Sequence, residues 1–252
     1  MKAAIRVMGL ALVMSLFGVG LAAATTGADR YDTSVQAKVT QELAAKKEFT
    51  RIQSSVEDGI VTLTGTVDLY QQKLDAAKKV RKTANVQGVR NLITVAGTNV
   101  ADAALEEQLD RKLYYDRIGY DNLFNFMTAS VQDGVATLSG EARTEYDRDS
   151  AIWLANNMPG VKDVVSNIKV SPASIFDDRI RIQTARAIYR DPVLQRYAID
   201  PARPIRIVVD NGHVTLYGAV ANKMDKEVAG IRAGQVFGAF SVQNNLEVAG
   251  KS

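Results

Sequence analysis

Any chemistry in this 252-residue chain must be assembled from few side-chain types. There is one histidine, His213, and no cysteine, which rules out disulfides, thiolate catalysis and cysteine zinc sites. A lone imidazole could act as a general base, but no Gly-x-Ser-x-Gly elbow supplies a nucleophile for it. The only adjacent aspartates, Asp177-Asp178, read as charge or cap at a helix N-terminus. No cluster of His, Cys or carboxylates has metal-ligand spacing. Recurrent glycines resemble a phosphate loop only superficially, since no P-loop lysine signature follows them. The expectation is a protein that is not an enzyme and has no cofactor and no metal site.

The residues that exceed structural need are surface-binding types. Tyr146 and Trp153, the only tryptophan, stand seven residues apart in a helical stretch. At about 100° per residue they share one azimuth, opposite the apolar stripe of Ala151, Ile152 and Ala155. Such rings suit a lipid interface or a seam between domains. Arg148 lies beside them, and the same aligned column holds Lys73 and Lys226. These five residues are the candidate lipid- or partner-binding set, with Tyr114, Tyr115 and Tyr120 as added aromatic surface.

What positions them is a phrase used three times. "VEDGIVTLTGTV" from Val56 returns as "VQDGVATLSGEA" from Val131 and "VDNGHVTLYGAV" from Val209. Gly59, Gly134 and Gly212 align, as do Gly65, Gly140 and Gly218, and then Val95, Val170 and Val248, without a gap. Asp-Gly or Asn-Gly supplies the positive φ of a tight hairpin. The second strand puts Val61 and Leu63, Ala136 and Leu138, Val214 and Leu216 on one face, with Thr62, Thr137 and Thr215 on the other. His213 aligns with Ile60 and Val135 and reads as an exposed strand residue. A helix follows, with Ala76, Ala151 and Ala229 at one aligned position where it lies close on the sheet. Asn85, Gly160 and Gly238 read as its left-handed C-cap. A last strand then returns as a parallel crossover partner.

Each unit also opens with a helix, marked by Val35, Val39 and Leu43, by Leu105, Leu109 and Leu113, and by Ile180, Ala187 and Ile188. The segment from this helix to the hairpin varies in length and reads as surface loop, with Pro201 and Pro204 in the longest version. The order is helix, strand, strand, helix, strand, over 32–97, 101–171 and 176–249, with connectors short enough for the units to touch. Residues 1–24 read as a cleaved signal peptide: Lys2 and Arg6, an apolar run from Val7 to Leu21, and Ala22-Ala23-Ala24. Export and a net charge of +3, about +1 without Lys2 and Arg6, argue against a nucleic-acid partner.

The pattern Asp/Asn-Gly-x-Val-x-Leu-x-Gly, a helix, then Gly-Val and a terminal Asn before Val resembles the BON domain, as in "EDGIVTLTG", "QDGVATLSG", "DNGHVTLYG" and "PGVKDVVSNIKV". The resemblance implies an α+β fold of three tandem αββαβ modules, each with two helices on a three-stranded mixed sheet. It also implies a periplasmic, cell-envelope protein. Osmotically inducible periplasmic proteins belong to the family, with two copies where this chain has three. The implied role is phospholipid binding or envelope support under osmotic stress, with anionic phospholipid or envelope proteins as partners and no integral span after cleavage. The alternative is a holdase-like or protein-interaction role without lipid. Copy three departs from the pattern, with "GAFSVQNNLEV" replacing Gly-Val by Gly-Ala.

Overall fold

The computed structural model describes residues 27–115, 123, 125–171, 174–199 and 205–250. The expected signal peptide, Tyr120, Pro201 and Pro204 lie outside them. Repeat 1 consists of α1 (Gly27–Ala44), β1 (Ile52–Glu57), β2 (Ile60–Val67), α2 (Tyr70–Arg81), β3 (Gly88–Asn91) and β4 (Thr94–Val95). Repeat 2 consists of α3 (Asp102–Tyr115), β5 (Phe126–Gln132), β6 (Val135–Ala142), α4 (Glu145–Asn156) and β7 (Asp163–Val170). Repeat 3 consists of α5 (Ile175–Tyr189), the short α6 (Arg196–Ile199), β8 (Arg206–Asp210), β9 (His213–Tyr217), β10 (Ala219–Val220), α7 (Lys223–Gly234), β11 (Ser241–Asn244) and β12 (Glu247–Val248). The fold is α+β, three αββαβ modules, each with its own mixed sheet.

The register repeats along with the sequence. Ile52 opposes Gly65, Met127 opposes Gly140, and Arg206 opposes Tyr217 in antiparallel pairs. Ile60 opposes Gly88, Val135 opposes Asp163, and His213 opposes Ser241 in parallel pairs, with the same displacement each time. The middle strand of each sheet is therefore the one that follows the hairpin. Both hairpin residues are left-handed: φ is 50° and 75° at Asp58-Gly59, 54° and 79° at Asp133-Gly134, 50° and 79° at Asn211-Gly212. This is the type I′ turn that matches strand twist. Six residues on, Gly140 has φ 118°, and a Cβ there would lie 2.0 Å from the Phe126 carbonyl oxygen; Gly65 meets the Arg51 carbonyl the same way, at 2.1 Å. Only a residue without Cβ permits that approach.

One contact orients the first helix in every repeat. The Asp32 carboxylate accepts from the hairpin amides of Asp58 (2.8 Å) and Gly59 (2.9 Å). Asp102 accepts from Asp133 (2.7 Å) and Gly134 (3.0 Å), and Asp177 from Asn211 (3.1 Å) and Gly212 (2.8 Å). Asp177 thus does more than charge a helix terminus. It sits in the first turn of α5, where Ser174 Oγ caps its amide at 3.2 Å, while its own oxygens reach the turn. Each clamp aspartate is followed at matched spacing by three buried residues: Val35, Val39, Leu43; Leu105, Leu109, Leu113; Ile180, Thr184, Ile188. Thr184, rather than Ala187, completes the third stripe. Its hydroxyl donates to the Ile180 carbonyl at 2.8 Å, so the polar atom is satisfied and the residue can be buried.

Three separate apolar cores result. Ala76, Ala151 and Ala229 are fully buried where the second helix meets the sheet. Asn85, Gly160 and Gly238 are equivalent and left-handed, at φ 69°, 97° and 94°, but they are not helix C-caps. The C-caps are Lys82, Asn157 and Gln235. The left-handed residues stand three further on, third in turns closed by Val86 N to Thr83 O, Val161 N to Met158 O, and Ala239 N to Val236 O. A type II turn needs positive φ at that position. The variable segment is also more than surface loop in repeat 3, where Leu194 and Tyr197 enter the core. The last strand is continuous in repeat 2 but split in repeats 1 and 3 by an asparagine. Asn91 Oδ1 takes the Ile93 amide while its Nδ2 donates to the Lys73 carbonyl, and Asn244 does the same with Leu246 and Lys226. Repeat 2 has Ser166 there.

The units touch, by two different seams. Repeats 1 and 2 meet through α2 and α4: Asn156 Nδ2 donates to Gln71 Oε1 at 3.2 Å, and Tyr70 packs on the second core. Burial and a hydrogen bond to Asp163 push the Tyr70 hydroxyl up to about 12. Repeats 2 and 3 meet at β5 and β8, where Phe126 stacks on Tyr217 with centroids 5.5 Å apart. The Arg206 guanidinium lies 4.9 Å from the Tyr114 ring centre, and Arg143 bonds Asp178 at 2.6 Å.

Two measurements check this account. Asp177→Ala removes two charge-assisted bonds and should cost repeat 3 about 2–3 kcal/mol, seen as faster amide exchange at Asn211 and Gly212. Gly140→Ala should cost more than about 3 kcal/mol in urea unfolding. Gly234→Ala, on a helix with nothing within 4 Å of the new methyl, should instead gain up to about 1 kcal/mol.

Candidate functional site: the outer faces of the second helices

The second helix of each repeat begins with a side-chain cap that fixes its rotation. Thr144 Oγ1 accepts from the Asp147 amide while Asp147 accepts from the Thr144 amide, both at 3.1 Å. Asn222 Oδ1 caps Asp225 at 2.9 Å in repeat 3. In repeat 1, Leu69 has no side-chain acceptor, and Gln72 Oε1 takes the amides of Asp68 and Leu69 instead. With the alanine face held on the sheet, the opposite face must point outward.

Tyr146 is 75% and Trp153 63% exposed, so the tryptophan stands on the open face of α4 and not in an interdomain contact. The same two aligned positions in repeat 3 hold Met224 and Ile231, 59% and 58% exposed. Repeat 1 has Gln71 and Lys78 there, and Gln71 is spent on the seam with Asn156. Two of the three repeats thus present an apolar pair, two helical turns apart, on the face directed away from their own cores. Met224 and Ile231 are the residues that a reading of aromatics alone overlooks. The glycine alignment that placed Trp153 places them too.

Lys73, Arg148 and Lys226 lie on the second helices of three different repeats, and no hydrogen bond or ion pair among the described residues joins them. Arg148 pairs with its neighbour Asp149 at 2.8 Å. Lys73 and Lys226 are half-buried, and their carbonyls receive the strand-breaking asparagines. Of the tyrosines, Tyr114 belongs to the seam between repeats 2 and 3, and the side chain of Tyr115 lies outside the described residues.

A second apolar patch surrounds the hairpin of repeat 3. Phe176 and Phe240 are in ring contact at 6.4 Å, His213 approaches Phe240 at 6.1 Å, and Phe237 is 93% exposed. His213 is exposed, with Nδ1 2.7 Å from Ser241 Oγ. No carboxylate orients the ring among the described residues, so the pair lacks the third member that activates a serine. Among those residues there is also no group of three or more metal-ligating side chains, and no helix long and apolar enough to cross a membrane.

Fold and site together define an αββαβ module used three times. The chain belongs to the BON domain family, whose model matches residues 31–97, 101–172 and 186–250. It is 26% identical over 148 residues to an uncharacterized protein in the gshII 5′ region of Anaplasma centrale, covering 57% of this chain and 97% of that one. Among solved structures it is similar to CdsD, a structural protein of the type III secretion system of Chlamydia trachomatis, at 14% identity and TM-score 0.25, covering 87% and 91% of the two chains. The periplasmic domain of the inner membrane protein PrgH from S. typhimurium matches at 13% identity and TM-score 0.21, covering 79% and 99%.

The exposure of Trp153 has a direct optical consequence. As the only tryptophan, it should emit close to tryptophan in water and be quenched fully by iodide. A blue-shifted, protected emission in plain buffer would contradict the placement of α4.

Proposed function

We propose that this protein is a non-enzymatic, peripheral component of the bacterial envelope that attaches reversibly to a phospholipid surface through the outer faces of α4 and α7. The observation that carries this reading is the repeated apolar pair, Tyr146 with Trp153 and Met224 with Ile231, exposed at equivalent positions. A solvated core has no use for such residues at the same two places twice. Rings and thioethers on a helix with polar flanks fit the boundary between headgroups and acyl chains. Each large side chain that leaves water contributes about 1.5–3 kcal/mol. Each such pair, partly buried, supplies reversible attachment no stronger than that given by one acyl chain, not an anchor. Lys226 adds attraction of about 1 kcal/mol near anionic lipid, whereas Arg148 and Lys223 are offset by Asp149 and Glu227. Family membership and the export-like N-terminal sequence support a periplasmic location and a role in envelope stress.

A second reading, docking of an envelope protein without lipid, is favoured by the patch of Phe176, Phe237 and Phe240. Flotation with vesicles separates the two. The mature protein should float with phosphatidylglycerol vesicles, less at high salt and little with phosphatidylcholine, and its tryptophan emission should shift to the blue. Trp153→Ala with Ile231→Ala should weaken partitioning at least about tenfold. Absence of flotation, together with suppression of client aggregation, would replace the membrane reading by the second one.

A further inference from the structure

Between α5 and α7 of repeat 3 lies a cleft of about 440 Å³, lined by Arg186, Arg190, Asp191, Arg232, Gln235 and Val236 among others. Arg186 and Arg190 are four residues apart on one helix, so their side chains leave on the same side. Both are exposed and neither has a partner among the described residues. Like charges at this spacing repel. Arg232 faces them from the other helix, held by Nε to Asp191 Oδ2 at 2.7 Å and by Nη1 to Gln235 Oε1 at 3.3 Å. Asp191 is itself fixed by the Val193 amide at 2.8 Å. Its single charge offsets Arg232 and leaves Arg186 and Arg190 without a carboxylate partner among the described residues, at the C-terminal end of α5 where the helix dipole favours them.

The other repeats do not build this. At the aligned positions repeat 1 has Gln41, Ala45 and Lys79, with Lys79 paired to Glu42 at 2.5 Å. Repeat 2 has Arg111, paired to Glu107 at 3.6 Å, then Tyr115 and Leu154. The arginines are therefore particular to one cleft and not a general property of the module. Guanidinium groups present planar N–H forks that match phosphate oxygens two at a time. An excess of two positive charges matches a dianion better than a diester or chloride.

We propose that the α5–α7 cleft of repeat 3 binds a phosphomonoester dianion, with Arg186 and Arg190 as its charge partners and Arg232 as a positioned third donor. The phosphate can come from a lipid headgroup or from a free phosphate ester. The site stands independently of membrane attachment through α4 and α7. The test titrates the full mature chain with glycerol 3-phosphate, followed by amide and arginine side-chain NMR shifts. In parallel it compares flotation with phosphatidic acid and phosphatidylglycerol vesicles of equal surface charge. Shifts at the three arginines with glycerol 3-phosphate would mark a free ester. A preference for phosphatidic acid without such shifts would mark the headgroup. In either case Arg186→Gln with Arg190→Gln should weaken the response at least about tenfold, with thermal unfolding unchanged. The lysine pair Arg186→Lys with Arg190→Lys should weaken it less. Trp153→Ala with Ile231→Ala should leave the glycerol 3-phosphate response intact, so failure of membrane attachment is distinguishable from failure of this site. No response to either phosphate source, or a response that survives the glutamine pair, overturns the proposal.

Discussion

A carboxylate that grips two backbone amides is the constraint on which each module rests. The type I′ hairpin leaves two adjacent N–H groups pointing out of the ladder, and those donors need acceptors. Asp32, Asp102 and Asp177 provide them from the first helix, one oxygen per amide. Because the carboxylate is part of the helix, satisfying the turn also fixes where the helix lies on the sheet and how it is rotated. The three buried residues that follow are then carried onto the sheet in register. The loop between helix and hairpin is free to change length, since the clamp holds helix and turn together without it. That explains how repeat 3 can contain α6 and the core residues Leu194 and Tyr197 without losing the common frame.

The hairpin, the alternating strand, the two helices and the parallel return were all legible in the sequence, because each is written in local chemistry. Asp-Gly, period-two alternation and helical stripes need no distant partner to be recognised. What was not legible depended on contacts between segments far apart in the chain. Asp177 looks like ordinary helix-terminal charge until the turn it grips is seen beside it. Ala187 looks like a core residue because it is small and apolar, yet Thr184 is buried instead, its hydroxyl satisfied one turn back. Asn85, Gly160 and Gly238 announce a left-handed backbone correctly, but the same signal serves a helix cap and a type II turn. Only the position of the true cap decides between them.

The candidate surface was half visible for a similar reason. Aromatic residues attract notice, so Tyr146 and Trp153 stand out, whereas Met224 and Ile231 look like routine core composition. Exposure is a property of the helix's rotation, and the caps at Thr144 and Asn222 together with the buried alanines set that rotation. For the basic column, alignment in sequence says which residues are equivalent, not which are near. Equivalent positions in tandem modules are carried apart by the modules themselves. The arginine cleft is the opposite case: its members come from two helices of one repeat, and their spacing in sequence gives no hint of convergence.

The two seams differ in kind. One joins helix to helix through Gln71, Asn156 and Tyr70, and the other joins sheet edge to sheet edge through Phe126, Tyr217 and Arg206. Modules that look interchangeable are therefore not so. Shuffling their sequence would set the glutamine-bearing helix against an aromatic edge, with no match on either side. Linear succession along the polypeptide is itself a coded trait, kept by a handful of side chains that the shared architecture does not require.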